Sequence, residues 1–321
     1  MTRYVAGRVA GALLVLVAVA ATVFWLFELL PGDAATVLLS RQGGGRPDPG
    51  QLASLRAELG LDRPAAERFL GWAGGIVRGD LGVSLLSRRP VSEVMQSRLN
   101  NSLTLAAVTI AILIPLSILL GLGAGARPGS RLDRCVSSVA LVAESLPPFV
   151  IGVLSISWLA LALGWLPAVS LVPTGSSPLE RPEVLVLPVV CLLCGLAPHP
   201  IRIARAQMAE VMSSDYIRAA RINGIGQRRL VLRHAAPNAL SAALHPLAGA
   251  VVGLVGGIAV VETLFAYPGL AHELLRAISA RDLPFVQSTA VLLAAFGLLA
   301  YLAADIVAMA LTPSGRNVLG T

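Results

Sequence analysis

Six long apolar runs recur along this chain and constrain its fold more than any other feature. Each can cross about 30 Å of hydrocarbon as a helix, which takes roughly 20 mainly apolar residues. The runs cover residues 9–30, 102–126, 136–163, 184–203, 239–263 and 285–311. We therefore predict an all-α, polytopic integral membrane protein with six transmembrane helices. The share of charged residues, 13%, favours the same class, because soluble domains carry about 25%.

The distribution of arginine predicts how these spans are oriented. Short cytoplasmic loops carry an excess of basic residues. Ten arginines lie in loops 127–134 and 199–238, against three in loops 164–183 and 266–284. We therefore expect the first pair of loops and both termini to be cytoplasmic. The segment 31–101, which follows the first span, then faces the outside. Its own arginines do not argue against this, because long segments are translocated largely regardless of their charge.

The basic side chains are all arginine. The sequence contains 25 basic residues and no lysine. A phosphate-binding loop of the Walker type requires a lysine, so this chain is predicted not to be a P-loop ATPase. The sequence also contains no Gly-x-Ser-x-Gly and no HExxH pattern, and we expect the chain not to be an enzyme and to bind no cofactor itself. The net charge of +7 does not indicate nucleic acid binding, because the arginines lie in loops around the spans and only 5% of residues are aromatic.

The three cysteines do not predict a metal site. Cys191 and Cys194 form a CxxC pattern inside an apolar run, with His199 as the only nearby side chain of a ligand type. Zinc sites normally take four ligands. We interpret these cysteines as small thiols of the protein core.

The segment 31–101 is predicted to contain helices of its own. Residues 49–59 are typical of one short helix. Residues 65–77 are typical of a second, because apolar side chains such as Phe69 and Trp72 recur there at helical spacing. This second helix is expected to lie at the membrane interface.

A polar and basic stretch at 213–239 separates the fourth and fifth apolar runs. It has too many arginines to be buried in lipid. Asp215 to Ile222 are typical of a helix, which Gly224 then ends, since glycine accepts backbone angles that other residues avoid. A second short helix is predicted from Gln227 to about His234, ending before Pro237. Alone, this pattern is equally typical of a docking surface and of a basic segment that attracts anionic lipid.

This stretch resembles the cytoplasmic coupling loop of permease subunits in binding-protein-dependent ABC importers. In that family an Ala-Ala pair, followed by glycine four residues later, docks in a groove of the ATPase. The family often carries Glu before the alanines, whereas Arg218 stands here, as is common in the peptide and nickel branch. The residues that the resemblance implies in coupling are Tyr216, Arg218, Ala219, Ala220, Arg221, Gly224, Arg228 and His234.

Five further strings, in order, extend the resemblance over almost the whole chain. They look like the first permease subunit of dipeptide, oligopeptide and nickel importers. The strings are Leu-Gly-Leu-Asp-x-Pro at 59–64, Gly-Asp-Leu-Gly-x-Ser at 79–84, Arg-Pro-Val at 89–91, the run 261–270 with Tyr-Pro-Gly, and Arg-Asp-Leu-Pro at 281–284. One departure is the end of the last span, where the family usually has Asp-Pro-Arg and this chain does not.

The resemblance implies a type I ABC importer transmembrane domain in a bacterial plasma (inner) membrane. Residues 1–100 would form a first helix with an extracytoplasmic segment. Residues 101–312 would form a five-helix core with a coupling loop at 206–237, followed by a cytoplasmic tail at 313–321.

The resemblance also implies partners. These are a second homologous permease, two cytoplasmic ATPase subunits that bind ATP and Mg, an extracytoplasmic solute-binding protein and the lipid bilayer. Peptides are the most frequent cargo of the resembling group, with nickel, metal chelates and siderophores as open alternatives. A stand-alone, ion-coupled secondary transporter is less favoured, because no internal repeat is visible in the sequence.

A few residues within or beside the spans are candidates for the translocation path or an outer gate. Carboxylates within a membrane are costly and usually face a cavity or a partner. Glu144 precedes Pro147 and Pro148, which can kink the third span. Glu262 lies at the outer end of the fifth span, near Tyr267, where a gating role and a structural role fit equally well.

The glycines at 121–126 nominally match a dinucleotide-binding pattern. No strand precedes them, as such a site would require. We interpret them instead as small residues that allow close packing between helices.

Overall fold

The computed structural model of this chain describes residues 2–29, 32–43, 48–173 and 176–311. These residues are predominantly helical, and within them the only strand-like feature is an isolated antiparallel bridge between Val83 and Pro90. The all-α prediction is therefore confirmed. The predicted tail at 313–321 lies outside the described residues.

Fourteen α-helices follow one another along the described chain, and two π-helical segments adjoin them. The π-helical segments are Ile156–Ala162 and Leu230–Ala235. In chain order the α-helices are α1 (Thr2–Leu29), α2 (Ala34–Gly43), α3 (Pro49–Glu58), α4 (Ala65–Val77), α5 (Val91–Gly125), α6 (Arg131–Ser145), α7 (Pro148–Ser155), α8 (Glu183–Leu196), α9 (Pro198–Ser213), α10 (Asp215–Ile222), α11 (Gln227–Arg229), α12 (Ala236–Leu264), α13 (Leu270–Ala280) and α14 (Leu283–Leu311).

The chain divides into two compact units. The first comprises Met1–Leu99 with Glu273–Thr321, and the second comprises Asn100–His272. In the first unit, α4 packs on α1 through aromatic rings: Phe69 lies 5.3 Å from Phe24 and 6.0 Å from Trp72 between ring centroids. The two short helices predicted in segment 31–101 are confirmed as α3 and α4, with bounds that agree to within a residue.

Asp282 anchors the loop that follows α4 in the first unit. Its buried carboxylate accepts hydrogen bonds from the Ser84 hydroxyl and from the backbone amides of Leu85 (3.0 Å) and Leu86 (3.2 Å). Ser288 also donates to the carbonyl of Leu81 at 3.1 Å. Two of the sequence strings that carry the family resemblance therefore meet in this unit.

The core of the second unit lies between α5, α8 and α12. Its buried members include Leu105, Leu187 and Val261. Cys191 is also buried there and donates from its thiol to the carbonyl of Pro148 at 3.0 Å. The interpretation of this cysteine as a core thiol is confirmed.

Several predicted spans are bent in the structure. The described residues contain two helices that are long and apolar enough to cross a membrane, Val91–Gly125 and Pro246–Leu264, or up to five spans if each bent pair counts as one. Most of the second predicted span, 102–126, lies within α5, a longer helix that begins at Val91. Six spans therefore remain a prediction.

The largest bend confirms the kink expected at the double proline. α6 and the segment Pro148–Ala162, which comprises α7 and the first π-helical segment, are inclined by 101°, and α8 and α9 by 48°. Leu146 is extended, with ψ of 129°, because a residue before proline is pushed out of the helical region. Pro147 also lacks an N–H to continue the helical hydrogen bonds. The third predicted span is thus two helices rather than one.

Candidate coupling surface and translocation residues

The helix α10 forms as predicted and buries one side chain. Ile217 is fully buried in a cluster with Met208 of α9, Leu230, Ala235 and Ala239. Ser214 precedes the helix with extended backbone angles, and Asp215 in the first turn complements the positive end of the helix dipole. A single large apolar contact thus holds α10 to the rest of the second unit.

Gly224 ends α10 in a defined glycine turn. Its φ is +79°, in the left-handed region that favours glycine. The amide of Ile225 donates to the carbonyl of Ala220 (3.1 Å), and the amide of Gly224 donates to the carbonyl of Arg221 (3.0 Å). This pair of hydrogen bonds is the Schellman motif of helix C-termini. The predicted helix end at Gly224 is confirmed.

The opposite side of α10 and the segment after it are exposed. Three apolar or aromatic side chains stand out: Tyr216 is 46% exposed, Ile222 is 79% exposed and Leu232 is 59% exposed. The adjacent exposed residues are Arg218, Ala219, Arg221, Arg228 and Arg229. We call these eight residues the coupling surface.

The two alanines that the sequence pattern treats as a pair differ in their environment. Ala219 is exposed, whereas Ala220 is half-buried and packs with Ile225 against the cluster around Ile217. Ala219 is therefore available to a partner, while Ala220 also holds the turn in place.

The helix predicted to end before Pro237 does not end there. After α11, the chain continues as the π-helix Leu230–Ala235 and then directly as α12. Pro237 falls in the first turn of α12, where a helix does not need the missing N–H. That boundary prediction was wrong for this reason.

Three hydrogen bonds join the start of α10 to the start of α12 and the segment just before it. The Asn238 side-chain amide donates to the Tyr216 hydroxyl (3.0 Å) and to the carbonyl of His234 (3.0 Å). The Tyr216 hydroxyl donates to the same carbonyl at 3.3 Å. Of the predicted coupling residues, Tyr216 and His234 therefore serve to connect the two helices.

The helix α9, which leads into α10, is fixed by an ion pair that the sequence did not single out. Arg205 donates from Nε and Nη2 to the two carboxylate oxygens of Asp133, at 2.8 Å and 2.7 Å. Asp133 is buried and also accepts from the backbone amide of Gly129 (2.8 Å). A bidentate pair of this kind fixes both distance and orientation.

The glycines of α5 allow its close approach to α9. A Cβ atom on Gly121 would lie 2.5 Å from Cβ of Ala204, and one on Gly125 would lie 2.4 Å from the carbonyl oxygen of Arg205. The interpretation of these glycines as a helix-packing feature is confirmed.

The candidate residues near the double proline have protein partners. Glu144, at the end of α6, forms an ion pair with Arg202 of α9. Pro148 begins α7 and lies against Gly195, whose added Cβ would be 3.0 Å from the Pro148 ring. A role for Glu144, Pro147 and Pro148 in the translocation path stays a prediction.

Glu262 and Tyr267 are buried and hold the turn that leads into α13. The Glu262 carboxylate accepts from the Ser102 hydroxyl and from the backbone amides of Ala271 (2.8 Å) and His272 (3.1 Å). The Tyr267 hydroxyl donates to the carbonyl of Asn101 at 2.7 Å. These contacts are structural, and a role in an outer gate stays a prediction.

Within the described part of the chain, no three His, Cys, Asp or Glu side chains are grouped so that they could hold a metal ion.

Two family descriptions together match almost the whole chain. Residues 114–316 match the family described as the inner membrane component of binding-protein-dependent transport systems. Residues 1–106 match the description of the N-terminal part of such a membrane component.

Several permease proteins match this chain over nearly their full length. A putative peptide transport system permease protein of Brucella abortus is 38% identical over 289 residues, or 90% of this chain and 91% of the relative. The glutathione transport system permease protein GsiC of Salmonella typhi is 31% identical over 316 residues, which are 98% of this chain and 99% of the relative. A probable peptide ABC transporter permease protein of Sinorhizobium fredii is 29% identical over 313 residues, which are 98% of this chain and 99% of the relative. The chain therefore belongs to the family of inner membrane components of binding-protein-dependent transport systems, and it is a permease subunit of an ABC importer.

Proposed function

We propose that this permease subunit docks on a cytoplasmic ATPase through the coupling surface and imports small peptides. The observation that carries the proposal is the exposed face of α10. Ile222 exposes an apolar side chain three residues after the small Ala219 on α10, and Leu232 is exposed in the π-helical segment that follows, with several exposed arginines in between. Adjacent exposed apolar groups with a polar rim are typical of a protein contact, and small residues permit close approach.

The remaining subunits follow from the family. The chain pairs with a second, homologous permease, and a solute-binding protein delivers the cargo from the outside. Six spans with both termini in the cytoplasm are supported by the arginine distribution and by the apolar runs. ATP and Mg bind to the partner ATPases, since this chain contains no lysine for a Walker loop.

The contacts of α10 suggest how ATPase movement reaches the spans. Ile217 packs against α9 and the start of α12, and the hydrogen bonds among Tyr216, His234 and Asn238 join α10 to α12. A partner that moves α10 therefore moves these helices with it. Switching a two-state equilibrium from about 1:99 to 99:1 takes about 5.5 kcal/mol of differential binding, which ATP bound to the partners can supply.

The names of the relatives support peptides as cargo. They are described as permeases for peptides and for glutathione, which is itself a small peptide. Nickel, metal chelates and siderophores are the alternatives. Selectivity rests largely with the solute-binding protein, so uptake must be measured with the complete complex.

The docking role predicts a sharp effect of Ala219→Asp. The added carboxylate would lose its water on docking without gaining a partner. We expect the amount of ATPase that co-purifies with the permease to fall tenfold or more, because about 1.4 kcal/mol already corresponds to a factor of ten. Peptide uptake into proteoliposomes should fall in parallel, while membrane insertion is unchanged. Ala66→Asp, at an exposed position of α4, is the matched control and should retain ATPase and uptake.

A loop that only anchors to lipid predicts the opposite pattern. It would tolerate Ala219→Asp and respond instead to replacement of Arg228, Arg229 and Arg233 by glutamine. Full ATPase retention and full uptake by the Ala219→Asp complex would rule out the coupling surface as the docking site.

A further inference from the structure

The buried ion pair between Asp133 and Arg205 joins α6 to α9, the helix that leads into α10. Arg205 donates from two nitrogens of its guanidinium group, at 2.8 Å and 2.7 Å, to the two carboxylate oxygens of Asp133. The Asp133 side chain is 4% exposed and that of Arg205 is 34% exposed. Two parallel hydrogen bonds of this kind fix the orientation of one helix on the other as well as the distance between them.

Arg205 lies three residues before Met208, the residue of α9 that contacts the coupling helix. Met208 is fully buried in the cluster that also contains Ile217 of α10. Residues three apart on a helix lie on the same face, one above the other. The backbone of Arg205 is also packed against α5, since an added Cβ on Gly125 would lie 2.4 Å from its carbonyl oxygen. A displacement of α10 therefore reaches Arg205 within one turn of α9.

Asp133 is fixed within the first turn of α6. Its carboxylate also accepts a hydrogen bond from the backbone amide of Gly129 at 2.8 Å. Its own backbone amide donates at 3.2 Å to the hydroxyl of Ser130, the residue that caps the helix. The carboxylate cannot turn away without breaking the turn that begins α6. A displacement of Arg205 therefore acts on the helix α6 itself.

Few other contacts hold α6 as firmly. Apart from Asp133, this helix buries only Val136 and Ala140, so the apolar area that it removes from the surface is small. A second ion pair, between Glu144 and Arg202, joins the same two helices, but these side chains are 40% and 47% exposed. Exposed ion pairs contribute little to stability. The buried pair is therefore the contact that most restricts where α6 lies on α9.

α6 leads directly into the broken third span. The segment that follows the double proline, Pro148–Ala162, is inclined by 101° to α6. The start of this segment is held in turn by α8, because the Cys191 thiol donates to the carbonyl of Pro148 at 3.0 Å. A displacement of α6 is thus carried to the point where the two halves of the span meet.

We propose that Asp133 and Arg205 are positioning residues that transmit the movement of α10 to α6 and the broken span, and so couple ATP hydrolysis to peptide import. This role rests on the proposed docking of an ATPase on the coupling surface. Neither residue belongs to that surface, so loss of the pair should leave docking intact. The ATPases should then continue to hydrolyse ATP while the spans no longer follow them.

The test uses the complete complex in proteoliposomes and measures ATP hydrolysis and peptide uptake together. Asp133→Asn keeps the shape of the side chain but removes its charge and one acceptor oxygen. We expect uptake to fall about tenfold, the factor that corresponds to loss of one charge-assisted hydrogen bond. Co-purification of the ATPases and ATP hydrolysis should stay near the wild-type level. The amount of ATP consumed for each imported peptide should therefore rise about tenfold.

Variants of Arg205 test whether the two residues act as a unit. Arg205→Lys keeps the positive charge but cannot donate two parallel hydrogen bonds, so it should also raise the amount of ATP consumed for each peptide. The double variant Asp133→Asn/Arg205→Gln should lose no more uptake than Asp133→Asn alone, because two groups that act only through each other are not additive. Additive losses, or a wild-type ratio in Arg205→Lys, would contradict the proposed pair.

Two control variants separate coupling from charge and from stability. Glu93→Gln removes a carboxylate from an exposed ion pair with Arg89 and should keep the wild-type ratio of ATP to peptide. Val261→Ala removes methyl groups from the core of the second unit, outside α6 and α9. It should lower the thermal unfolding temperature and keep the same ratio, because fewer folded complexes would each still couple normally.

A purely structural role for the ion pair predicts that Asp133→Asn behaves like Val261→Ala. An unchanged ratio of ATP to peptide, with the ATPases still bound, would overturn this role alone and leave the docking proposal standing. Loss of the ATPases from the Asp133→Asn complex would also overturn it, because the pair would then support docking rather than transmission. Full ATPase retention and uptake by Ala219→Asp would remove the docking surface, and the path of transmission through α10 with it.

Discussion

At the scale of single residues, Gly224 is the position where backbone geometry and the proposed function meet most closely. A side chain at φ of +79° costs about 1–2 kcal/mol through contact between Cβ and the backbone, and more for a β-branched residue. We predict that Gly224→Val distorts the end of α10 and sharply lowers peptide uptake by the reconstituted complex. Insertion should stay normal, because Gly224 is exposed and distant in sequence from the apolar runs.

Gly226 provides the control for this prediction. It lies two residues further on, has an ordinary φ of −62° and has nothing within 4 Å of an added Cβ atom. Gly226→Val should therefore retain most of the uptake. Equal losses in both variants would mean that the loop requires flexibility rather than the left-handed turn of Gly224.

At the scale of helices, the close contact between α5 and α9 supports α9, the helix that leads into α10. A Cβ atom on Gly125 would lie 2.4 Å from the Arg205 carbonyl oxygen and 2.6 Å from Cβ of Met208. We predict that Gly125→Ala separates the two helices and lowers the free energy of unfolding by about 1–3 kcal/mol, the usual effect of overpacking. Thermal unfolding of the purified chain measures this change.

Gly123 lies on the same helix and serves as the comparison. An added Cβ there would meet only a side-chain carbon of Leu132 at 3.6 Å, an ordinary contact. Gly123→Ala should be neutral or slightly stabilising, because alanine favours helix more than glycine does. A loss of stability at Gly123 as large as that at Gly125 would attribute the effect to the glycine-rich sequence rather than to the contact with α9.

At the scale of the whole molecule, the orientation in the membrane can be tested with single cysteines. Cys135 is exposed and is first replaced by serine, and the exposed Ser87 and Ser213 are then changed to cysteine one at a time. We predict that an impermeant maleimide labels Ser87→Cys in intact cells and labels Ser213→Cys only after the membrane is opened. The physical reason is the excess of arginine in the loops assigned to the cytoplasm.

Labelling of Ser213→Cys but not of Ser87→Cys in intact cells would invert the orientation. It would also place the coupling surface on the side without ATP. The topology prediction and the docking proposal would then both fail, whereas the helix contact of Gly125 would be unaffected.

The sequence by itself determined which segments are helical and where several of them end. Apolar runs, the capping Asp48 and the glycine turn at Gly224 act over only a few residues. For this reason α3, α4 and α10 could be predicted to within a residue. The family resemblance likewise rests on short strings that can be read directly from the chain.

Only the tertiary structure decided which side chains meet. Asp133 and Arg205, which form the buried ion pair, are 72 residues apart in sequence. Local pattern also predicted a break at Pro147 but not its angle of 101°. The physical reason is that such partners and angles depend on how distant helices pack, and short-range preferences carry no information about that packing.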